Sequence, residues 1–411
     1  MFGKSGNIAY KSDGSVWSWG QNSCGQLGDN GSGYVRSSPV LVVGDHKFYL
    51  ISAGRTNTVY LKQDGSAWCN GIGNGIGDDT TDQKNSPVAV IGNHSFVDID
   101  SEWGFCMALK SNGEAWGWGY NIRGNLGNNS TTHTSSPVQV VGNHSFIKVQ
   151  CAGDSNANGE SAGALKADGS LWGWGMNAYG SLGNGDSSNK SSPVVVVGNH
   201  SFIDFAISPC SRYGLKANGE VWSWGANYAG QLGTGNTTSY TSPVLVIGNH
   251  SFIKIALSLY SNRSDSVGCA GLKSDGTVWT WGNWWTMGNN SITATSSPVS
   301  IVGDHSFVDI TGGAETGFFS GLKSNGEIWS WGVNSYGQLG DLSLTNRSSP
   351  VLLAGNHSFI SLHTGMNMNL DVSGSWKRNP IIHVNVEGTW KRIIRQKMNI
   401  NGTWTSPIHP D

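Results

Sequence analysis

The sequence predicts an all-β protein, a seven-bladed β-propeller followed by a small segment of β-hairpin repeats. Three observations lead to this fold class. A unit of roughly 50 residues recurs along most of the chain, which is typical of solenoids and propellers. Each unit reads as four short strands without a helix, and after Thr364 a second, shorter repeat begins. The long units start with a lysine and an Asp-Gly or Asn-Gly pair, at Lys11, Lys62, Lys110, Lys166, Lys216, Lys273 and Lys323.

The first two strands of each unit are predicted to form a hairpin. In the fifth unit, Gly-Leu-Lys at 214–216 precedes Asn218-Gly219 and then Val-Trp-Ser-Trp-Gly at 221–225. An Asn-Gly or Asp-Gly pair between alternating strands is a strong hairpin signal, because both residues tolerate positive φ. Trp222 and Trp224 are two positions apart and share one strand face. Their periodic recurrence favours a core between blades over a sugar- or base-stacking surface.

The third and fourth strands follow a Gly-bounded loop and a polar stretch. Ser-Pro-Val-Leu-Val-Ile at 242–247 is an apolar strand that opens with a proline, which is tolerated at an edge. Gly-Asn-His at 248–250 turns the chain into the predicted fourth strand at 252–255. One such sheet would expose two apolar faces, and radial packing of several sheets buries them, as in propellers.

Ring closure is predicted from the incomplete first unit. It begins inside a blade at 8–11, with no Pro-Val or His-Ser-Phe strand before it. The last unit carries strands at 351–353 and 359–362 that could complete this blade, so both termini would close a ring of seven. We therefore expect a propeller at 1–365 and a hairpin-repeat tail at 366–411.

The strand and loop motifs carry a family resemblance. Trp-Ser-Trp-Gly-x-Asn-Ser-x-Gly-Gln-Leu-Gly at 17–28 and its near copy at 329–340, each followed by Ser-Ser-Pro-Val, resemble the regulator of chromosome condensation (RCC1) repeat family. The resemblance spans residues 1–365 and implies a seven-bladed propeller. Activity is less constrained, because the same propeller serves nucleotide exchange on a small GTPase, chromatin docking and scaffolding.

Composition excludes several classes of function. Charged residues make up 13 % of the chain and the formal net charge is −2, so no nucleic-acid partner is expected. The N-terminus lacks an apolar core of signal-peptide length and no apolar run is long enough to span a membrane. We expect a soluble chain, in a virion or otherwise cytoplasmic, that is not inserted in a membrane. The six cysteines, at different phases of the repeat, read as buried apolar residues and not as a metal or disulfide framework.

No catalytic or metal site is expected, and no cofactor. The repeated histidines are tempting metal ligands, but equivalent positions on different blades lie too far apart to converge on one ion. We therefore expect them to be structural. The acids are scattered, and the Gly-rich loops lack a following helix that could hold a phosphate. The protein is predicted not to be an enzyme. The histidines are His46, His94, His144, His200, His250, His305 and His357.

The sixth unit departs from the repeat in a way that suggests a contact site. Its loop reads Asn-Trp-Trp-Thr-Met-Gly at 283–288 and adds two aromatic residues. Tryptophan is enriched at interface hot spots, so Trp284, Trp285 and Met287 are candidate partner-binding residues. Local repacking of a diverged repeat is the competing interpretation.

The tail repeats a Gly-Ser/Thr-Trp motif, with tryptophans at the equally spaced positions 376, 390 and 404. Ser-Gly, Glu-Gly and Asn-Gly read as two-residue turns between very short strands. Isolated hairpins are marginal in water, so the tail should dock on the propeller, oligomerise or bind another protein. Short Gly-Thr-Trp-Lys repeats resemble those that end some phage virion proteins. The candidate assembly residues are Trp376, Lys377, Trp390, Lys391, Arg392 and Trp404.

Three functions remain open from the sequence. The first is a non-enzymatic structural or adhesive protein, such as a virion surface or tail component in host attachment. Its propeller would be displayed and its tail would bind other structural subunits or further copies of this chain. The second, implied by the family resemblance, is a guanine-nucleotide exchange factor or scaffold. The third is a lectin-like protein that binds a surface glycan through Trp284 and Trp285.

Overall fold

A computed structural model gives the conformation of most of the 411 residues. It describes residues 6–355, apart from 11–14, 32, 34, 154–159, 260–266, 314–316 and 336, and five short C-terminal strands. Regular structure in these residues is β, apart from 3-10 turns at Gly73–Ile76 and Ala178–Gly180. The all-β fold class predicted from the repeat is therefore confirmed.

Seven antiparallel sheets follow one another along the chain. The first has three described strands, β1 (Gly6–Tyr10), β2 (Val16–Gln21) and β3 (Val35–Leu41). The second and third sheets contain β4 (Phe48–Ala53), β5 (Asn57–Lys62), β6 (Ala67–Gly71), β7 (Lys84–Ala89), β8 (Phe96–Glu102), β9 (Phe105–Lys110), β10 (Ala115–Gly119) and β11 (Thr134–Gln139).

The remaining four sheets have the same plan, with four strands each. Their strands are β12 (Phe146–Ala152), β13 (Ser161–Lys166), β14 (Leu171–Gly175), β15 (Lys190–Val195), β16 (Phe202–Ile207), β17 (Ser211–Lys216), β18 (Val221–Gly225), β19 (Tyr240–Leu245), β20 (Phe252–Leu259), β21 (Val267–Lys273), β22 (Val278–Gly282), β23 (Thr295–Ser300), β24 (Phe307–Gly312), β25 (Phe318–Lys323), β26 (Ile328–Gly332) and β27 (Arg347–Leu352). The C-terminal strands are β28 (Met368–Asn369), β29 (Ile382–Val386), β30 (Thr389–Ile393), β31 (Lys397–Met398) and β32 (Trp404–Thr405).

Each sheet is one blade of a seven-bladed propeller. Within a blade the strands pair in chain order. The first strands of neighbouring blades, from β4 through β8, β12, β16 and β20 to β24, contact one another and are therefore the innermost strands. Short strands joined by tight turns suit this arrangement, since each sheet buries its faces on its two neighbours.

The four strands of one repeat do not all lie in one blade. Strand β20 belongs to the fifth repeat, yet it pairs with β21 of the sixth, with Phe252 opposite Lys273. Phe252 also packs against Trp281 of that next blade, with ring centroids 5.8 Å apart. In the first six repeats, the predicted fourth strand is therefore the innermost strand of the following blade. An apolar strand pattern does not specify on which side a strand pairs, so the sequence could not show this offset.

The offset also corrects the predicted ring closure. The strand that contains Val351 pairs with β26, with Val351 opposite Ser330, and completes the last blade instead of the first. The first blade has its own Pro-Val strand, β3, with Val40 opposite Ser18. The other predicted closing strand, at 359–362, lies outside the described residues. Farther along, β28 pairs with β4.

The two ends of the blades differ in what they carry. At one end lie the hairpin turns and the starts of the innermost strands, where the Phe96 amide donates to the Gly65 carbonyl at 2.9 Å. We call this end the turn face. At the opposite end are the loops that follow the Trp-Gly strands, which we call the loop face.

The second tryptophan of each Trp-x-Trp pair fills the space between blades. Trp224 is buried, and its Nε1 donates to the carbonyl of Ser181 in the preceding blade at 2.9 Å. In the second blade, Asn70 replaces this tryptophan, and its Nδ2 donates to the Gly25 carbonyl at 2.8 Å. The equivalent buried tryptophans are Trp118, Trp174, Trp281 and Trp331.

Candidate functional site

The loop after β22 places the two candidate tryptophans on the loop face. Trp284 is 57 % exposed. Trp285 is half-buried, with φ of +64°, a left-handed conformation that bulky residues seldom adopt. The next residue, Thr286, ties the loop to the core, because its carbonyl accepts a hydrogen bond from Trp331 Nε1 at 3.0 Å. Trp284 is thus held at the surface by an anchored loop.

Met287 lies at the other end of this loop and is fully buried. It occupies the position of Leu232 in the fifth blade: Thr280 Oγ1 donates to the Met287 carbonyl as Ser223 Oγ donates to that of Leu232. The sixth loop is two residues shorter than the fifth, and the chain has returned to the core by Met287. Its side chain lies in the core and is not part of the exposed surface of the loop face.

Loops on other blades also expose large apolar side chains at the loop face. Ile122, Tyr179 and Tyr228 lie in the loops after β10, β14 and β18. Each comes three or four residues after the glycine that ends the preceding strand. The rings of Tyr179 and Tyr228 meet edge-on, with centroids 5.3 Å apart. In the last blade Leu342 is almost fully exposed. We call these five residues, on consecutive blades, the loop-face arc: Ile122, Tyr179, Tyr228, Trp284 and Leu342.

An asparagine at the base of most of these loops fixes their shape. Asn227 Oδ1 accepts from the Leu232 amide at 2.9 Å, and its Nδ2 donates to the carbonyls of Asn236 and Thr238 at 3.0 and 2.9 Å. The side-chain amide therefore lies among carbonyl oxygens and holds both arms of the loop. Equivalent asparagines are Asn22, Asn121, Asn177 and Asn334.

Two of the loops that carry the arc contain an internal ion pair. Lys190 Nζ lies 2.8 Å from Asp186 Oδ2, and this contact together with the Ser188 amide holds the pKa of Asp186 below its ordinary value. Arg347 pairs with Asp341 at 2.7 Å. These two carboxylates are therefore neutralised within the loops that carry Tyr179 and Leu342.

The sequence indicated Trp284, which breaks the repeat, but not the other members of the arc. Ile122 and Tyr228 leave the repeat spacing unchanged. A large apolar residue one or two positions after the loop asparagine is the signal that indicates Ile122, Tyr179 and Tyr228, whereas Leu342 carries no such signal. Such residues contradict the polar composition of the rest of these loops.

Six of the seven repeated histidines lie on the turn face, each packed against a tryptophan. His250 packs on Trp279, with ring centroids 4.3 Å apart, and Lys273 Nζ lies 4.7 Å from the centre of the same tryptophan. Burial, and then the positive charge of Lys273, lower the pKa of His250. His46, His94, His144, His200 and His305 are arranged in the same way, and His357 lies outside the described residues.

Among the described residues, no three His, Cys, Asp or Glu side chains come together as metal ligands. Five cysteines are buried, and burial raises the pKa of the Cys269 thiol, so it stays protonated. In the described part of the chain, no helix is long and apolar enough to cross a membrane.

The tail candidates are described only in part. Strand β30 carries Trp390, Lys391 and Arg392, and β32 carries Trp404, whereas Trp376 and Lys377 lie outside the described residues. Strands β29 and β30 pair with Val386 opposite Thr389, which leaves the two residues Glu387 and Gly388 between them, as predicted for this turn.

The last pair of strands departs from the predicted turn. Met398 lies opposite Trp404, whereas a two-residue turn at 401–402 would place it opposite Thr405. The pairing is therefore shifted by one residue, which exchanges the side-chain sets of the two faces.

Solved structures with the same fold support the propeller architecture. Human WBSCR16 is similar over 84 % of this chain and 95 % of its own, with 18 % identity and a TM-score of 0.68. Prp20, the RCC1 of Saccharomyces cerevisiae, is similar over 89 % of both chains in its complex with Kap60, with 16 % identity and a TM-score of 0.67. No curated protein sequence matches the chain.

The sequence itself matches a family model, the regulator of chromosome condensation (RCC1) repeat. The matched segments are 13–61, 112–157, 168–208, 218–260 and 325–368. Together they span more than half of the chain. The unmatched stretches between them contain the second repeat, where Asn70 replaces a core tryptophan, and the sixth repeat, with its shortened loop. The chain belongs to the RCC1 repeat family.

Proposed function

We propose that this protein is a non-enzymatic interaction protein whose propeller binds a protein partner through the loop-face arc. The arc itself carries the proposal, since five large apolar side chains are exposed on consecutive blades. Exposed aromatic residues are enriched at interface hot spots. Two of the arc's rings, Tyr179 and Tyr228, meet edge-on and expose apolar surface together. Anchored loops present these side chains with little conformational entropy to lose on binding.

Proteins of similar fold give independent support for a protein partner. The yeast protein Prp20 is described as binding Gsp1p and histones, and it has been solved in complex with Kap60. The likeness to this chain is one of fold, so these partners are not transferred. A display role in a virion or another assembly is a form of the same proposal, because an exposed arc can serve attachment as well as scaffolding.

The proposal is tested with a double variant of the arc, Tyr228→Ala/Trp284→Ala. Its matched control is Val195→Ala/Leu245→Ala, which removes exposed apolar side chains from outer strands of the same region. Proteins captured from an extract of the source cells are compared by quantitative mass spectrometry, and binding is then measured with purified components. We expect a partner that binds wild type and control equally and the arc variant about 30-fold or more weakly, since hot-spot truncation costs roughly 2 kcal/mol or more. Equal capture by all three proteins would contradict the proposal.

A glycan is the second candidate ligand, favoured by the exposed ring of Trp284 among uncharged loop groups. Sugars stack on such rings and hydrogen-bond to neighbouring amides and hydroxyls. Binding on a glycan array that is lost in Trp284→Ala/Trp285→Ala would support this candidate. A wild-type protein that binds no glycan on the array, yet binds a protein through the arc, would leave the protein partner as the function.

A further inference from the structure

Two cysteines from neighbouring blades meet in the core between the second and third blades. Cys69 lies on β6 and Cys106 on β9, and both are fully buried. Their Sγ atoms lie 3.3 and 3.6 Å from the same carbonyl oxygen, that of Gly75. Asn57 Nδ2 is 3.0 Å from Cys106 Sγ and 4.0 Å from Cys69 Sγ. The two sulfur atoms are thus neighbours around one small polar centre, and we call Cys69 and Cys106 the thiol pair.

The two members of the thiol pair also act on each other electrostatically. Both are free thiols. Burial, and then the neighbouring Cys106 thiol, raise the pKa of the Cys69 thiol well above its ordinary value. The thiolate is the form of cysteine that reacts, so a thiol held in its protonated form reacts slowly. The thiol pair is therefore close together and, while the two blades stay packed, protected.

Cysteine at both places distinguishes this junction from the others. The sixth blade has Cys269 at the place of Cys106, equally buried, and its Sγ donates to the Gln231 carbonyl at 3.4 Å. The counterpart of Cys69 at that junction is Ser223, so Cys269 is a matched thiol opposite a serine position. The residues of the other repeats at the place of Cys69 are Ser18, Gly117, Gly173, Ser223, Thr280 and Ser330.

The Gly75 carbonyl is offered more hydrogen-bond donors than it has lone pairs. Besides the two thiols, Trp118 Nε1 donates to it at 3.1 Å and Asn57 Nδ2 at 3.4 Å. A carbonyl oxygen has two lone pairs, so the thiols compete with stronger N–H donors. Loss of both S–H groups would leave the indole and the side-chain amide as donors to this oxygen. The centre therefore needs neither thiol hydrogen to satisfy its buried carbonyl.

We propose that Cys69 and Cys106 form a reversible disulfide that joins the second blade to the third, with a peroxide as the oxidant. One sulfur, as its thiolate, attacks a peroxide oxygen and becomes a sulfenic acid as water leaves. The other sulfur attacks the sulfenic sulfur, and the sulfur–sulfur bond forms as a second water leaves. Two thiols and one hydrogen peroxide thus give one disulfide and two waters. Because both sulfurs are buried, the reaction proceeds as the two blades open locally.

The test treats the reduced full-length protein with hydrogen peroxide for several hours, removes the peroxide with catalase and alkylates the remaining thiols in urea. Trypsin places Cys69 in the peptide 63–84, Cys106 in 85–110 and Cys269 in 264–273. We expect the first two peptides to appear as one species, joined by a disulfide and lighter by two hydrogen atoms. Cys269 should be recovered alkylated, and oxidation of the half-buried Cys24 shows that the peroxide has acted.

The matched variant is Cys69→Ser, which introduces the residue that the fifth repeat has at this place. In the wild type, peroxide should raise the melting temperature by a few degrees, because the disulfide restricts the unfolded chain. Dithiothreitol should reverse this rise, since thiol–disulfide exchange reduces the bond. In Cys69→Ser the melting temperature should not rise, and Cys106 should be recovered alkylated.

Three results would overturn the proposal. Recovery of alkylated Cys69 and Cys106 after Cys24 has been oxidised would show that the thiol pair does not react. A disulfide between Cys106 and Cys151, which is buried on β12 of the fourth blade, would show that Cys69 is not the partner. A rise in melting temperature of Cys69→Ser equal to that of the wild type would show that the stabilisation does not come from this bond.

Discussion

At the scale of single residues, the two tryptophans of a Trp-x-Trp pair have different environments. Trp224 is buried between blades and donates its indole N–H to the Ser181 carbonyl. Trp222 is half-buried beneath His200, and its Nε1 reaches the partly exposed carboxylate of Glu220 at 3.2 Å. Only the first of these hydrogen bonds joins two blades. Trp224 should therefore contribute more to the stability of the propeller than Trp222 does.

Replacing Trp224 with phenylalanine should therefore destabilise the propeller. The change leaves the buried Ser181 carbonyl without its donor and opens space between two blades, at a cost of about 2–4 kcal/mol. Trp222→Phe, its control in the same strand, loses a solvent-accessible bond and should cost less than about 1 kcal/mol. Urea unfolding followed by tryptophan fluorescence and circular dichroism measures both. Equal midpoints for the two variants would contradict the inter-blade role.

Residue identity was the part of the site that the sequence predicted least. The break in the repeat indicated both Trp284 and Met287 as contact residues. Only Trp284 is exposed, whereas Met287, three residues farther along the same loop, is buried. This difference in exposure depends on loop length. Because the loop has two residues fewer than that of the fifth blade, Met287 takes the buried place that Leu232 has there. Which residues of a loop are exposed depends on where the loop leaves and re-enters the core, and the repeat period alone does not show this.

At the scale of elements, the innermost strands alternate in charge from blade to blade. The residue two positions after the starting phenylalanine is, in chain order, Asp98, Lys148, Asp204, Lys254 and Asp309. Neighbouring innermost strands contact one another, so each lysine strand has acidic strands on both sides. In a protein built from similar repeats, this alternation favours the correct neighbour and disfavours a blade that skips its place.

Reversing one of these charges should destabilise the ring more than removing it. Lys254→Asp places a carboxylate against Asp309, whereas Lys254→Met keeps the aliphatic stem without the charge. Because both side chains are largely screened from water, we expect the reversal to cost about 1–3 kcal/mol more than the methionine variant. Adding Asp309→Lys to Lys254→Asp should recover most of that difference, and thermal unfolding of the four proteins measures it. A double variant no more stable than the single reversal would exclude the pairing.

The elements themselves were largely predictable. Asp-Gly and Asn-Gly turns, the Pro-Val strands and the alternation in Val-Trp-Ser-Trp are local signals, and the strands appear where those signals stand. The partner of each strand is a tertiary property, and β20 joins the next blade because Phe252 packs on Trp281. Local patterns carry no information about that choice, so the predicted closure of the first blade by Val351 was wrong.

At the scale of the whole molecule, one arrangement of histidine, tryptophan and lysine is repeated on six described blades. In each, burial and then a nearby lysine lower the pKa of the histidine below its ordinary 6.5. The folded protein therefore favours neutral histidine, and the unfolded chain takes up protons first as the pH falls. Six small effects with the same sign add up.

The contribution of the neutral histidines to the free energy of unfolding should thus be fully present above pH 6.5. It should decline as the pH falls below 6.5 and through the lowered pKa values of the folded protein. The carboxylates with lowered pKa values, such as Asp186, add their own loss only below about pH 4. Melting temperatures at pH 7.5 and 5.5 test this, with His200→Gln/His250→Gln as the variant expected to show a smaller decline. A melting temperature that rises between pH 7.5 and 5.5 would contradict the sign.

The offset between repeat and blade has a consequence for how such a chain can grow. Each of the first six repeats supplies three strands to one blade and the innermost strand of the next. A tandem duplication of one repeat would therefore add one complete blade. The added repeat would also supply the innermost strand of the blade that follows it, so every existing sheet would keep its strands. Loss of a repeat would do the reverse. Blade number in this architecture can thus change by recombination between copies, without any sheet being left with an unpaired edge at the junction.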